Sequence, residues 1–245
     1  MKHAMRSEFR KLMTTRTVWG LLAGVVVLTG LGAWGTLLGP NTVAGARLET
    51  LPLFIAALVA VTVMAVVLGV RAYTDEARHG SIVPTLLATP DRRRVVAAKL
   101  IVLAGTATVF ALVASVVAAV FGVIWFAVEG IALTVGWGAL LVLVGKVILI
   151  AIAWSMIGLG VGLIVSHQVA AIVGVLIYLL VVEDLISTLA HGVGKFLPSN
   201  AADAAVGLWP ESDLLAPLAG AALLITWVAA FVVAGASRLQ HRDIS

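Results

Sequence analysis

The chain has 245 residues, 62% of them hydrophobic and only 11% charged, with a net charge of +4 and no cysteine. Soluble domains carry about 25% charged residues, so this composition cannot cover a water-facing surface and points to lipid as the solvent. The lack of cysteine excludes disulfides, thiolate metal sites and cysteine nucleophiles.

The first element is basic. Within residues 1–16, Met5, Phe9, Leu12 and Met13 recur at helical spacing, while Lys2, Arg6, Arg10 and Lys11 fall largely elsewhere around the helix. A short helix of this kind lies in the membrane interface, with Arg6, Arg10 and Lys11 beside the lipid headgroups. Six apolar stretches come next, at 17–38, 51–71, 100–128, 137–165, 169–190 and 214–236. Each meets the requirement of about 20 apolar residues for crossing a bilayer. The reading is an all-α polytopic membrane protein, a single transmembrane domain over 1–245 with six helices. The first stretch is longer than the apolar core of a cleavable signal peptide and no small-residue cleavage site comes after it, so it reads as a retained span.

Basic residues set the orientation. With the N-terminus in the cytoplasm, thirteen of the sixteen Lys and Arg residues fall on the cytoplasmic side, Arg47 and Lys195 lie outside, and Lys146 lies within a span. The positive-inside rule thus places both termini in the cytoplasm and accounts for the net charge without nucleic acid as a partner. Trp34, Trp125, Trp137 and Trp209 mark outer span ends and Trp19 an inner one, as in an aromatic belt. Trp154 and Trp227 lie deeper and read as packing residues.

The most polar segment is the loop 72–99 after the second span. With Arg71 it holds six of the sixteen basic residues. Asp75 and Glu76 can open a helix, where acidic side chains complement the dipole. Gly80 interrupts it, and Ser81 to Pro84 restart it with an apolar edge of Ile82, Leu86 and Leu87. Thr89-Pro90-Asp91 makes a turn, and Arg92, Arg93 and Arg94 lead into the third span. The loop therefore holds one or two short helices parallel to the membrane, with Arg92, Arg94 and Lys99 at the lipid headgroups.

Three charged residues lie at membrane depth: Lys146 in the fourth span, and Glu183 and Asp184 in the fifth. Such charges are costly and face a bundle interior. At 1.5 Å per residue Lys146 is about 13 Å and Glu183 about 10 Å below the outer ends of adjacent antiparallel helices, so they can form an ion pair. That pair either fixes helix register or lines a polar path. The outer segment 191–213 is long. Ser199 can cap a short helix over 200–208, and Asp213 can cap the last span with Pro217 in its first turn.

Catalytic and nucleotide motifs are missing. The five histidines, at 3, 79, 167, 191 and 241, form no metal pattern. The pairs Gly145-Lys146 and Gly194-Lys195 lack the glycine spacing and subsequent Ser or Thr of a phosphate-binding loop. The spacings Gly20-x-x-x-Gly24 and Gly158-x-x-x-Gly162 read as helix-packing sites.

Residues Glu76, Gly80, Ser81, Leu86, Leu87, Pro90, Arg93 and Lys99, in that order and preceded by the basic segment SEFRKLMTTRTVW, resemble the membrane subunits of ABC-2 type ATP-binding cassette transporters. The resemblance extends over the whole chain, including six spans and the longer last outer loop. It implies an N-terminal elbow helix and a cytoplasmic coupling helix docking on a separate ATPase. The docking surface would be Glu76, Arg78, His79, Gly80, Ser81, Leu86, Leu87, Pro90 and Arg93. It also implies two ATPase copies carrying ATP and magnesium, a second permease copy or paralogue, membrane lipid as the surrounding partner, and no cofactor or catalytic residue on this chain. The expected activity is export of a lipophilic or amphipathic compound across the plasma membrane of a bacterium. The alanine- and valine-rich, lysine-poor make-up resembles actinobacterial proteins. The alternative is an ion-coupled secondary transporter using Lys146 and Glu183 or Asp184.

Overall fold

In the computed structural model the described residues are 7–11, 15–37, 51–78, 92–129, 136–207 and 214–240. Among them there is helix and no strand. A short helix α1 covers 7–11. It is succeeded by α2 (Arg16–Leu37), α3 (Leu51–Arg78), α4 (Arg92–Glu129), α5 (Trp137–Val165) and α6 (Gln168–Leu189). Two short helices, α7 (His191–Gly194) and α8 (Pro198–Val206), precede α9 (Pro217–Gln240). Six helices, α2 to α6 and α9, are long and apolar enough to cross a membrane. Both α3 and α4 run past their apolar stretches into the flanking charged residues, because helical hydrogen bonding continues where hydropathy stops. Asp75 and Glu76 consequently do not open a helix. They lie in the last turns of α3, where their charge opposes the helix dipole and needs cationic partners.

The chain divides into two compact units. One comprises Met13–Ala65 and Ala104–Ile152. Its core includes Val25, Val61, Phe110 and Val147, all fully buried. Gly32 lets α2 approach α3, since a Cβ there would lie 2.9 Å from that of Ala56. Gly24 meets the Met64 side chain, whereas Gly20 has nothing within 4 Å, so only one member of that glycine pair is used for packing inside this unit. Trp19, Trp34 and Trp137 project from the surface, as expected of interfacial anchors.

The other unit comprises Met1–Leu12, Val66–Leu103 and Ala153–Ser245. Here α3 and α5 touch backbone to backbone. A Cβ on Gly69 would collide with the Ser155 carbonyl, one on Gly158 with the Val66 carbonyl, and one on Gly162 would sit 2.7 Å from the Val70 carbonyl. Small residues allow this close approach, which maximises dispersion where lipid offers no hydrophobic drive. On its other side α5 meets α9, with Gly160 facing the Phe231 carbonyl and Gly235 facing Leu163. Trp154 is buried, and Trp227 donates its indole N–H to the Phe196 carbonyl at 2.9 Å while stacking on Phe231. The turn between α5 and α6 is tight. Ser166 adopts a left-handed φ of 60°, and His167 Nδ1 accepts from the Ala170 N–H to cap α6.

Candidate functional site

Four charged side chains from three helices converge in this second unit. Glu8 and Lys11 come from α1, Glu76 from the last turns of α3, and Lys99 from the first part of α4. Lys99 is only 3% exposed. Its ammonium donates to Glu8 Oε2 at 2.7 Å and to the Ala72 carbonyl at 2.9 Å, and pairs with Glu76 Oε1 at 2.9 Å. Lys11 Nζ bridges the same carboxylates, 2.9 Å from Glu8 Oε1 and 2.9 Å from Glu76 Oε1. Two ammonium groups thus neutralise two carboxylates, and every group in the ring touches opposite charge. Burial alone would push the Glu8 carboxyl up, but Lys99 and Lys11 outweigh it and hold it below the ordinary value. Burial would likewise lower the Lys11 ammonium, yet the two glutamates raise it. An assembly of this kind is weak evidence for stability but holds its members in one geometry, since breaking any pair strands a buried charge.

Next to this ring, α3 is also tied to the start of α6. Arg71 holds Asp75 through two bonds to Oδ2, at 2.9 and 3.1 Å. Gln168 donates from its amide to Asp75 Oδ1 at 2.7 Å and accepts at its oxygen from Arg78 at 3.3 Å. The last turns of α3 are therefore gripped by α1 and α4 through ions and by α6 through an amide.

Several expected site residues are placed differently from the sequence reading. Glu76 is expected on a docking surface and Lys99 among headgroups; both are buried in the ion ring. Lys11 shares in it, while Arg10 and Arg94 are exposed. His79, Gly80, Ser81, Leu86, Leu87 and Pro90 lie outside the described residues, as do Arg6 and the side chains of Arg92 and Arg93. The roles of Glu8, Gln168 and Asp75 go beyond the sequence reading. Their partners are distant in sequence, with a separation of 91 positions from Glu8 to Lys99 and 93 from Asp75 to Gln168.

Glu183, for which the sequence suggests Lys146 as partner, is hydrogen-bonded within its own unit to Ser199. Glu183 is 2% exposed, and its carboxylate accepts from the Ser199 N–H at 2.6 Å and from its hydroxyl at 2.7 Å. Ser199 is therefore the donor at the start of α8 and Glu183 supplies the cap, where a negative charge meets the positive end of the helix. Immediately before Glu183, α6 contains a π turn over Tyr178–Val182. The inserted residue rotates the rest of the helix, bringing Glu183 onto the buried face and leaving Asp184 exposed. Asp203, one turn beyond Ser199, is pushed up to about 6 by burial and then by Glu183. Lys146 is half-buried in its own unit. Among the described residues no group of three or more His, Cys, Asp or Glu could hold a metal ion.

Residues 4–182 match the family model described as ABC-2 family transporter protein. No curated protein matches the chain. The matched region takes in α1, the ion ring, the amide link to α6, the first four long apolar helices and α6 as far as its π turn, and it ends just before Glu183. By that match the chain, a multi-pass membrane protein, belongs to the ABC-2 transporter family.

Proposed function

We propose that the chain is the permease subunit of an exporter driven by a separate ATPase, with the loop after α3 as the docking element. The observation that carries this reading is the buried ring of Glu8, Lys11, Glu76 and Lys99, which ties both roots of that loop to the N-terminal helix. A loop that receives a push is useful only if its roots are fixed to the spans, and this ring together with the Gly69–Gly158–Gly162 seam fixes them. Closing of two ATPase copies on ATP and magnesium would move the loop, and the spans would switch between two arrangements. Two permease chains, as copies or paralogues, would complete the unit. The basic residues favour a cytoplasmic location for both termini and for the loop, in a bacterial plasma membrane. The apolar spans favour a lipophilic or amphipathic cargo.

The test is co-purification of the chain with a candidate ABC ATPase of the same organism, then nucleotide-dependent transport in proteoliposomes. Glu76→Ala and Gly80→Val are expected to weaken complex formation or uncouple transport from ATP. Unchanged complex formation and unchanged transport in both variants would overturn the docking role. Because the chain has no native cysteine, single cysteines at Arg10 and Leu189 report orientation directly. An impermeant thiol reagent should label Leu189→Cys from outside cells and leave Arg10→Cys unlabelled.

A further inference from the structure

Helix α6 is held by side chains near both ends. At its start Gln168 binds Asp75 and Arg78 of α3. Fifteen residues on, about 22 Å along a helix axis, Glu183 binds the N-terminus of α8 through Ser199. Between these grips lies the π turn Tyr178–Val182. The helices gripped at the two ends, α3 in its last turns and α8, belong to the same compact unit as α6. The far grip is itself anchored: α8 packs on α9 at Gly220, where a Cβ would lie 2.6 Å from that of Ala204, and Asn200 donates to Ser187 Oγ and the Gly194 carbonyl.

We infer that α6 is a transmission rod: the Asp75–Gln168–Arg78 link passes movement of the α3 loop root into α6, and the Glu183–Ser199 link passes it on to α8. This rests on the permease reading above and adds to it a route and two positioning residues, Gln168 and Glu183. The amide suits the task. It donates to a carboxylate and accepts from a guanidinium at once, so it tracks α3 in position and in rotation, as a one-point contact would not. The π turn supplies the second state that coupling requires. Closing it to regular α-helix removes the inserted residue's offset and rotates everything beyond by about 100°. That rotation withdraws Glu183 from the α8 N-terminus, so a small displacement at Gln168 becomes release or engagement of α8.

The test uses Leu189→Cys, 76% exposed just beyond Glu183 and unique in a cysteine-free chain, labelled with an environment-sensitive fluorophore. The labelled permease is co-purified with its ATPase in proteoliposomes, and a non-hydrolysable ATP analogue with magnesium is added. The unsubstituted link should give a fluorescence change. Gln168→Leu and Gln168→Glu should reduce its amplitude about fivefold or more, without loss of ATPase from the complex. Adding Asp75→Asn to Gln168→Glu reverses donor and acceptor and should restore the change. Glu183→Leu should abolish it. An undiminished response in Gln168→Leu, or no rescue by the swap, overturns the rod. A complex that forms with a silent label overturns the rod alone, whereas recovery of no ATPase with the unsubstituted chain overturns the permease reading and the rod with it.

Discussion

Lys99 Nζ and Glu8 Oε2 lie 2.7 Å apart, joining the N-terminal helix to the first part of α4 within a buried ring that also holds Glu76 and Lys11. Lys99→Met leaves two buried carboxylates with only Lys11 between them, which costs about 3–5 kcal/mol for a broken buried pair. Thermal unfolding in detergent should show this as a clear drop in midpoint. Combining Lys99→Met with Glu8→Gln should destabilise by less than the sum of the two single changes, because both act on one ring.

The ring also sets a pH window. Glu8 is held below its ordinary value of 4.5, so its contribution is present above about that pH and is lost as pH falls through the lower folded value. Lys11 is raised above 10.5, so its contribution is present below that pH and is lost as pH rises through the higher folded value. Between these limits the ring is intact. Limited proteolysis of the N-terminal segment should be flat across neutral pH and accelerate on acidification below the range of ordinary glutamates. Glu8→Gln should remove the acid limb.

Asp203 behaves in the opposite sense. Its folded value of about 6 stands above the ordinary value of 3.8, so the protonated form is favoured in the folded segment. Stability of α8 is greatest below about 3.8 and declines as pH rises to about 6, after which the cost is constant. Asp203→Asn should therefore raise the protection of α8 amides at pH 7, relative to their intrinsic exchange rates, and make that protection flat through the interval in which the unsubstituted chain changes.

The glycine seam gives a paired expectation. Gly69→Ala and Gly158→Ala place a Cβ against a carbonyl of the facing helix and should destabilise the fold by about 1–3 kcal/mol or more for an overpacked contact with backbone, seen as a lower unfolding midpoint. Gly20→Ala, with nothing within 4 Å, should not lower it. The contrast separates close approach from helix propensity, since all three glycines sit inside helices.

The spans were legible because lipid imposes one simple rule on length and polarity. Residues 137–165 coincide with α5, and 169–190 differ from α6 by one residue at each end. The ends of α3 and α4 were not legible, since hydropathy ends at the charges while the helix continues through them to Arg78 and back to Arg92. Glu76 and Lys99 stood out in sequence through their motif, but pairing them needed the fold. Glu183 was legible as a buried carboxylate in need of a partner. Lys146 is the one basic residue at membrane depth and so the partner the sequence offers, whereas Glu183 binds the N-terminus of α8, a partial positive charge with no letter in the sequence. Gln168 carried no signal, since a single polar residue in a three-residue turn reads as a turn residue.

The ion ring has a consequence for how the protein is made. Glu8 is synthesised 91 residues before Lys99, the second of the two lysines it shares with Glu76. Until α4 begins to leave the ribosome, two carboxylates share the single ammonium of Lys11 and the ring lacks its buried member. The ring therefore closes only on a chain whose third span has entered the membrane with the correct end leading. A nascent chain that inverts or skips that span leaves Glu8 and Glu76 with Lys11 alone, one ammonium for two carboxylates.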